Sequence, residues 1–94
     1  MSVPAPTGLK HIEILSDMPV TVYYHGILAD IAHRFDDEYD PVGSTENLLK
    51  QFYEKYPAAK QYVFRVAVNN RIISGNSPVS DGDTIDLIPP FPGG

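Results

Sequence analysis

Ninety-four residues with a formal net charge of −5 and 43% hydrophobic residues make one ordinary globular domain, with no room for a second core. An acidic balance argues against a nucleic-acid binder, which presents a basic face. The absence of cysteine removes disulfides, a thiolate nucleophile and a cysteine zinc site. No apolar run is long enough for a membrane span, and Met1 to Thr7 does not read as a signal peptide, so the expected setting is the cytoplasm.

Residues 1–17 read as an extended arm. Ser2 to Gly8 holds Pro4, Pro6 and Gly8 without periodicity, and Leu9 to Leu15 alternates weakly enough to suit an extra edge strand. The domain, residues 18–94, opens on Val20, Val22 and Tyr24 alternating with Thr21, Tyr23 and His25, the pattern of a half-buried strand. Gly26 ends it. Leu28, Ile31, Ala32 and Phe35 follow at helical spacing. Asp36, Asp37, Glu38 and Asp40 read as a solvated acidic turn, with a short strand around Glu38 to Val42.

A second helix starts at Gly43-Ser44-Thr45-Glu46, where Ser44 or Thr45 can cap free N–H groups and Glu46 suits the positive helix end. Leu48, Leu49, Phe52, Tyr53 and Tyr56 share its apolar face, and Pro57 closes it. A further turn can carry Ala58 to Tyr62. Phe64, Val66 and Val68 face inward on the next strand; Asn69-Asn70 suits a tight hairpin, and Arg71 to Ser74 returns. After a loop and the Asp81-Gly82-Asp83 turn, Thr84 to Ile88 forms the last strand and runs straight into Pro89-Pro90-Phe91-Pro92-Gly93-Gly94. In that strand Ile85 and Leu87 point inward, which turns Asp86 and Ile88 outward. The expected fold class is α+β, a mixed sheet packed against a helix.

The tail carries the functional signal. A Gly-Gly end has no side chain beside the carboxylate, and its backbone can enter a narrow cleft that a Cβ would block. Elsewhere the residues are bland. His11, His25 and His33 lack metal-ligand spacing, and the serines sit in no hydrolase motif, so no metal, cofactor or self-sufficient active site is expected. Tyr53, Tyr56 and Tyr62 have core-like spacing.

Val66-Ala67-Val68-Asn69, Pro78-Val79-Ser80-Asp81-Gly82-Asp83, Ile85 to Ile88 and Pro89-Pro90-x-x-Gly93-Gly94 together resemble the small subunit of molybdopterin synthase. The resemblance covers Val20 to Gly94; Pro-Pro before a terminal Gly-Gly is its most specific element. It implies the ubiquitin-like β-grasp fold and a sulfur carrier that is not an enzyme on its own. An E1-like adenylating enzyme would activate Gly94, a persulfide donor would leave a thiocarboxylate there, and the synthase large subunit would pass that sulfur to the pterin precursor. Gly93 and Gly94 are then the reactive end, and Ile88, Pro89, Pro90, Phe91 and Pro92 the partner-binding segment. Phe91-Pro92 departs from the small or β-branched pair usual in the family. The same tail also suits a carrier for thiamine, cysteine or tRNA thiolation, a ubiquitin-like protein modifier joined to lysine, or an interaction domain with an inert tail.

Overall fold

Val20, Val22 and Tyr24 lie buried along strand β1 (Val20–Tyr24), as their alternation requires. A computed structural model of the chain describes residues 18–90; the expectations for the arm (1–17) and for Phe91 to Gly94 lie outside the described residues. Helix α1 (Ile27–Ala32) follows, then β2 (Asp36–Tyr39), β3 (Gly43–Ser44), helix α2 (Thr45–Lys55), a 3-10 turn (Pro57–Gln61), β4 (Arg65–Val68), β5 (Arg71–Ile73), β6 (Pro78–Val79) and β7 (Thr84–Ile88).

Five strands form one mixed sheet in the order β2-β1-β7-β4-β5. The first and last strands, β1 and β7, are parallel neighbours at its centre, with Val22 opposite Ile85 and Tyr24 opposite Leu87; the remaining pairs are antiparallel. One face is covered by α2, whose Leu48 and Phe52 are buried against Val20, Val22, Ile85 and Leu87. Tyr24 stacks on Phe52 at 5.5 Å between ring centroids, which ties the sheet to the helix. The β-grasp expectation holds. Among the described residues no helix is long and apolar enough to cross a membrane.

The caps follow the sequence closely. Ser44 Oγ accepts the Asn47 N–H at 3.2 Å, and the backbone leaves helical geometry at Tyr56, just before Pro57. Thr45 is used differently. Its Oγ1 accepts the Ser77 N–H at 3.0 Å and anchors the 76–77 loop to the helix start. Asn69 and Asn70 take φ of 50° and 69°, the left-handed pair of a tight β4–β5 hairpin. Asp83 closes the second turn by accepting from the Ser80 N–H at 2.8 Å.

Three expectations fail, each for a physical reason. Phe35 is not on the first helix: α1 stops at Ala32, His33 adopts φ 58° as a left-handed cap, and Phe35 is left 78% exposed. Asp36 to Asp40 is no solvated turn and Glu38 to Val42 no strand. The strand is Asp36–Tyr39, paired with β1, so Asp37 and Tyr39 point inward while Asp36 and Glu38 stay in water. Tyr62 lies beyond both the helix and the 3-10 turn and is 41% exposed, outside the core.

Asp37 is held by a built network. Its Oδ2 accepts from the hydroxyls of Tyr24 and Tyr56, both at 2.8 Å, and lies 3.4 Å from Lys55 Nζ. Its Oδ1 meets Arg34 Nη1 at 3.0 Å. Tyr24 spends its only proton on Asp37, so Tyr39, 2.8 Å from the Tyr24 oxygen, must be the donor in that second contact. Burial pushes the Asp37 carboxyl up, but the two hydroxyl donors and the two cations outweigh it and hold it below its ordinary value. Burial likewise raises the Tyr24 phenol, and lifts Tyr39 to about 12.

Because the folded Asp37 carboxyl titrates below its unfolded counterpart, its contribution is complete above the ordinary carboxylate range. It is lost as pH falls through the folded value. Asp37→Asn should therefore lower stability by roughly 1–3 kcal/mol near neutral pH. Urea unfolding followed from about pH 7 to about pH 3 should show a shallower acid decline in the variant than in the wild type.

Candidate functional site

Parallel pairing of β1 with β7 sends both strands out of the same end of the sheet. The β4 strand begins at that end too, since Arg65 pairs with Ile88. Three segments therefore meet where the tail leaves: His25-Gly26 after β1, Val63-Phe64 before β4, and Pro89-Pro90 after β7.

The ladder stops there for a covalent reason. Proline has no N–H, so neither Pro89 nor Pro90 can donate to β1 or β4. The last bond on the β1 side is the His25 N–H to the Leu87 carbonyl at 3.3 Å. Pro89 is seated against Gly26. That glycine, at φ 57° and ψ −131°, occupies a turn conformation hostile to side chains, and the His25 carbonyl accepts the Leu28 N–H at 3.1 Å across it. A Cβ on Gly26 would stand 3.4 Å from Pro89 Cγ.

On the outer face, His25 Nε2 and Asp86 Oδ1 are 2.8 Å apart. This contact gives the His25 ring, which lacks metal-ligand spacing in the sequence, a side-chain partner at the boundary of the sheet. Ile88 also points to the outer face, as the alternation demands, but it is half-buried and not fully in water. With Val63, Phe64, Arg65, Pro89 and Pro90 it lines a groove of about 320 Å³. Val63 is 77% exposed.

The structure thus gathers Ile88, Pro89 and Pro90 at one place. Phe91, Pro92, Gly93 and Gly94 lie outside the described residues. Val63, Arg65, Gly26 and the His25–Asp86 pair escaped the sequence reading. Residue parity could have turned Val63 and Arg65 outward with Ile88, but only the strand order makes them neighbours. Among the described residues no group of three or more His, Cys, Asp or Glu could hold a metal ion. What the arrangement does is set Pro89-Pro90 beside a groove with largely apolar walls.

Comparison with known proteins agrees with this geometry. Residues 22–94 match the model of the ThiS family. A putative molybdopterin converting factor subunit 1 from Pyrococcus furiosus superposes with a TM-score of 0.71 at 23% identity, over 79% of this chain and 99% of that one. Small archaeal modifier protein 1 from Methanosarcina acetivorans gives a TM-score of 0.71 at 21% identity, over 81% and 96%. A protein–protein complex of subunits 1 and 2 of molybdopterin-converting factor from Helicobacter pylori contains a chain with a TM-score of 0.61 at 28% identity, over 82% and 100%. No curated protein matches the chain by sequence.

Two substitutions test the face assignment at the tail root. Leu87→Asp places a carboxylate in a fully buried position and should abolish the folded state, since the penalty is a large fraction of the roughly 5–15 kcal/mol that holds a domain. Ile88→Asp should keep a cooperative melting transition. Circular dichroism melts of both proteins would expose a reversed register at once.

Proposed function

Since this chain belongs to the ThiS family of small ubiquitin-like sulfur carriers and modifiers, matched over residues 22–94, we propose that it is the sulfur-carrying small subunit of a molybdopterin synthase. The observation that carries this reading is the junction itself. A central strand, β7, runs at its C-terminal end into Pro89-Pro90, next to an apolar groove, and Phe91-Pro92-Gly93-Gly94 follow in sequence.

The chain supplies an acyl group and its partners supply catalysis. An E1-like enzyme joins the Gly94 carboxylate to AMP, with pyrophosphate leaving ATP. The terminal sulfur of a persulfide donor attacks the acyl carbon and displaces AMP. Reductive release of the donor by a thiol leaves a thiocarboxylate on Gly94, which a large subunit takes into its active site for transfer to the pterin precursor. The lack of cysteine is no obstacle, because the sulfur rides on the backbone terminus. A large-subunit partner is supported by the Helicobacter pylori complex, in which a chain of similar fold is assembled with a second subunit. In this reading residues 18–94 are the carrier domain, residues 1–17 an accessory arm, and the protein works in the cytoplasm.

A second reading has its own support. The archaeal modifier protein superposes as well as the converting-factor subunit, with the same TM-score of 0.71. A modifier would use the same adenylate but end in an isopeptide bond from Gly94 to a lysine.

Mass spectrometry separates the two. Incubated with its activating enzyme, ATP and a persulfide donor, the carrier should gain about 16 Da as one carboxylate oxygen becomes sulfur. Removing Gly94, or adding one residue after it, should abolish that gain with the fold intact. A lysine-linked product without the mass gain would select the modifier. Ile88→Asp should weaken binding of the activating enzyme and the large subunit, because it places an unpaired carboxylate at the interface.

A further inference from the structure

Strand β7 runs out of backbone ties where the tail begins. On the β1 side its last is the His25 N–H to the Leu87 carbonyl, long at 3.3 Å, and beyond Ile88 neither Pro89 nor Pro90 has an N–H to give. A strand end in that state opens more readily than the core. Contacts from the turn after β1 hold it instead. His25 Nε2 lies 2.8 Å from Asp86 Oδ1, and Pro89 sits against Gly26. The turn is itself anchored to α1, because the His25 and Gly26 carbonyls accept the Leu28 and Ala29 N–H groups at 3.1 and 3.0 Å.

Asp86 has reason to keep that partner. Its side chain is only 17% exposed, flanked on the outer face by Tyr23 of β1 and Ala67 of β4, and among the described residues no lysine or arginine pairs with it. A carboxylate so covered loses more than an exposed one when its donor is removed. The pair adds little to the core, which Val22, Ile85 and Leu87 already close, since His25 sits half-exposed at the surface. Its effect is local to the strand end. We propose that His25 is a positioning residue: through Asp86 it clamps the end of β7 to the turn after β1, and so fixes the point and direction from which the tail starts. The meaning of the clamp rests on the carrier reading. An activating enzyme meets a tail root that the fold has already ordered, so losing the clamp raises KM. It leaves kcat in place, because the pair takes no part in the acyl chemistry.

The experiment compares the full-length wild type with His25→Ala, Asp86→Ala, the double variant and Asp86→Asn. Amide hydrogen exchange on the free chain reads the clamp without any partner. The amide of residue 25 should exchange about 2- to 10-fold faster in either alanine variant, while those of Val22 and Ile85 keep their rates. Adenylation by the activating enzyme, followed as ATP–pyrophosphate exchange, reads the consequence. Each alanine variant should raise KM about 2- to 10-fold, and the double variant should be no worse than the singles, because one contact is lost in all three. Asp86→Asn, whose amide oxygen still accepts from the His25 ring, should restore most of the wild-type KM. Independent, additive effects of the two alanine variants would overturn the proposal, since each side chain would then be touching the partner separately. So would an unchanged exchange rate at residue 25, an unchanged KM, a loss confined to kcat, or Asp86→Asn behaving like Asp86→Ala. A wild-type chain that shows the exchange pattern but is never adenylated would sink the carrier reading and leave the clamp standing.

Discussion

The parallel pairing of β1 with β7 is the constraint from which the rest of the molecule follows. Both strands are central, and their inward residues Val20, Val22, Ile85 and Leu87 are fully buried, so the pair forms the floor on which α2 rests. A parallel pair needs a long crossover, and here nearly the whole domain serves as one. The same geometry sends the C-terminal segment out beside the turn that follows β1. Tail position is thus a property of the core, not of the tail.

Much of this was legible because each strand kept its own period. Val20, Val22 and Tyr24, and Ile85 and Leu87, declare their inward faces by simple alternation, and Ser44 and Pro57 mark the ends of α2. What sequence could not supply was adjacency. Nothing local to Val63 or His25 says that β4 and β1 flank β7, and so the groove walls and the His25–Asp86 contact stayed hidden. Asp37 failed differently. An inward carboxylate breaks the alternation that identifies a strand, and its partners Tyr24, Arg34 and the adjacent pair Lys55 and Tyr56 come from three separate places in the chain.

That buried acid has a structural logic. Strand β2 is a sheet edge with only β1 beside it, and two of its four residues, Asp36 and Glu38, are exposed acids that contribute little burial. Tying Asp37 to β1 through Tyr24 and to α2 through Tyr56 and Lys55 replaces the missing apolar area with directional bonds. Arg34 extends the tie to the turn after α1. The acidic outer side of β2 and the apolar groove near Arg65 lie toward opposite edges of the same face, so the face is polarised along the strand order.

The central position of β7 also bears on how the protein is made. Strand β1 leaves the ribosome early and can pair with β2, but its second edge stays open until Thr84–Ile88 has been synthesised. Closing the sheet is therefore among the last events of folding, a contact between the two most distant strands of the domain. An incomplete or misfolded chain has no groove and no fixed exit for its final residues. Any partner that reads the junction of β7 with Pro89-Pro90 therefore reads a surface that exists only once the whole sheet has closed.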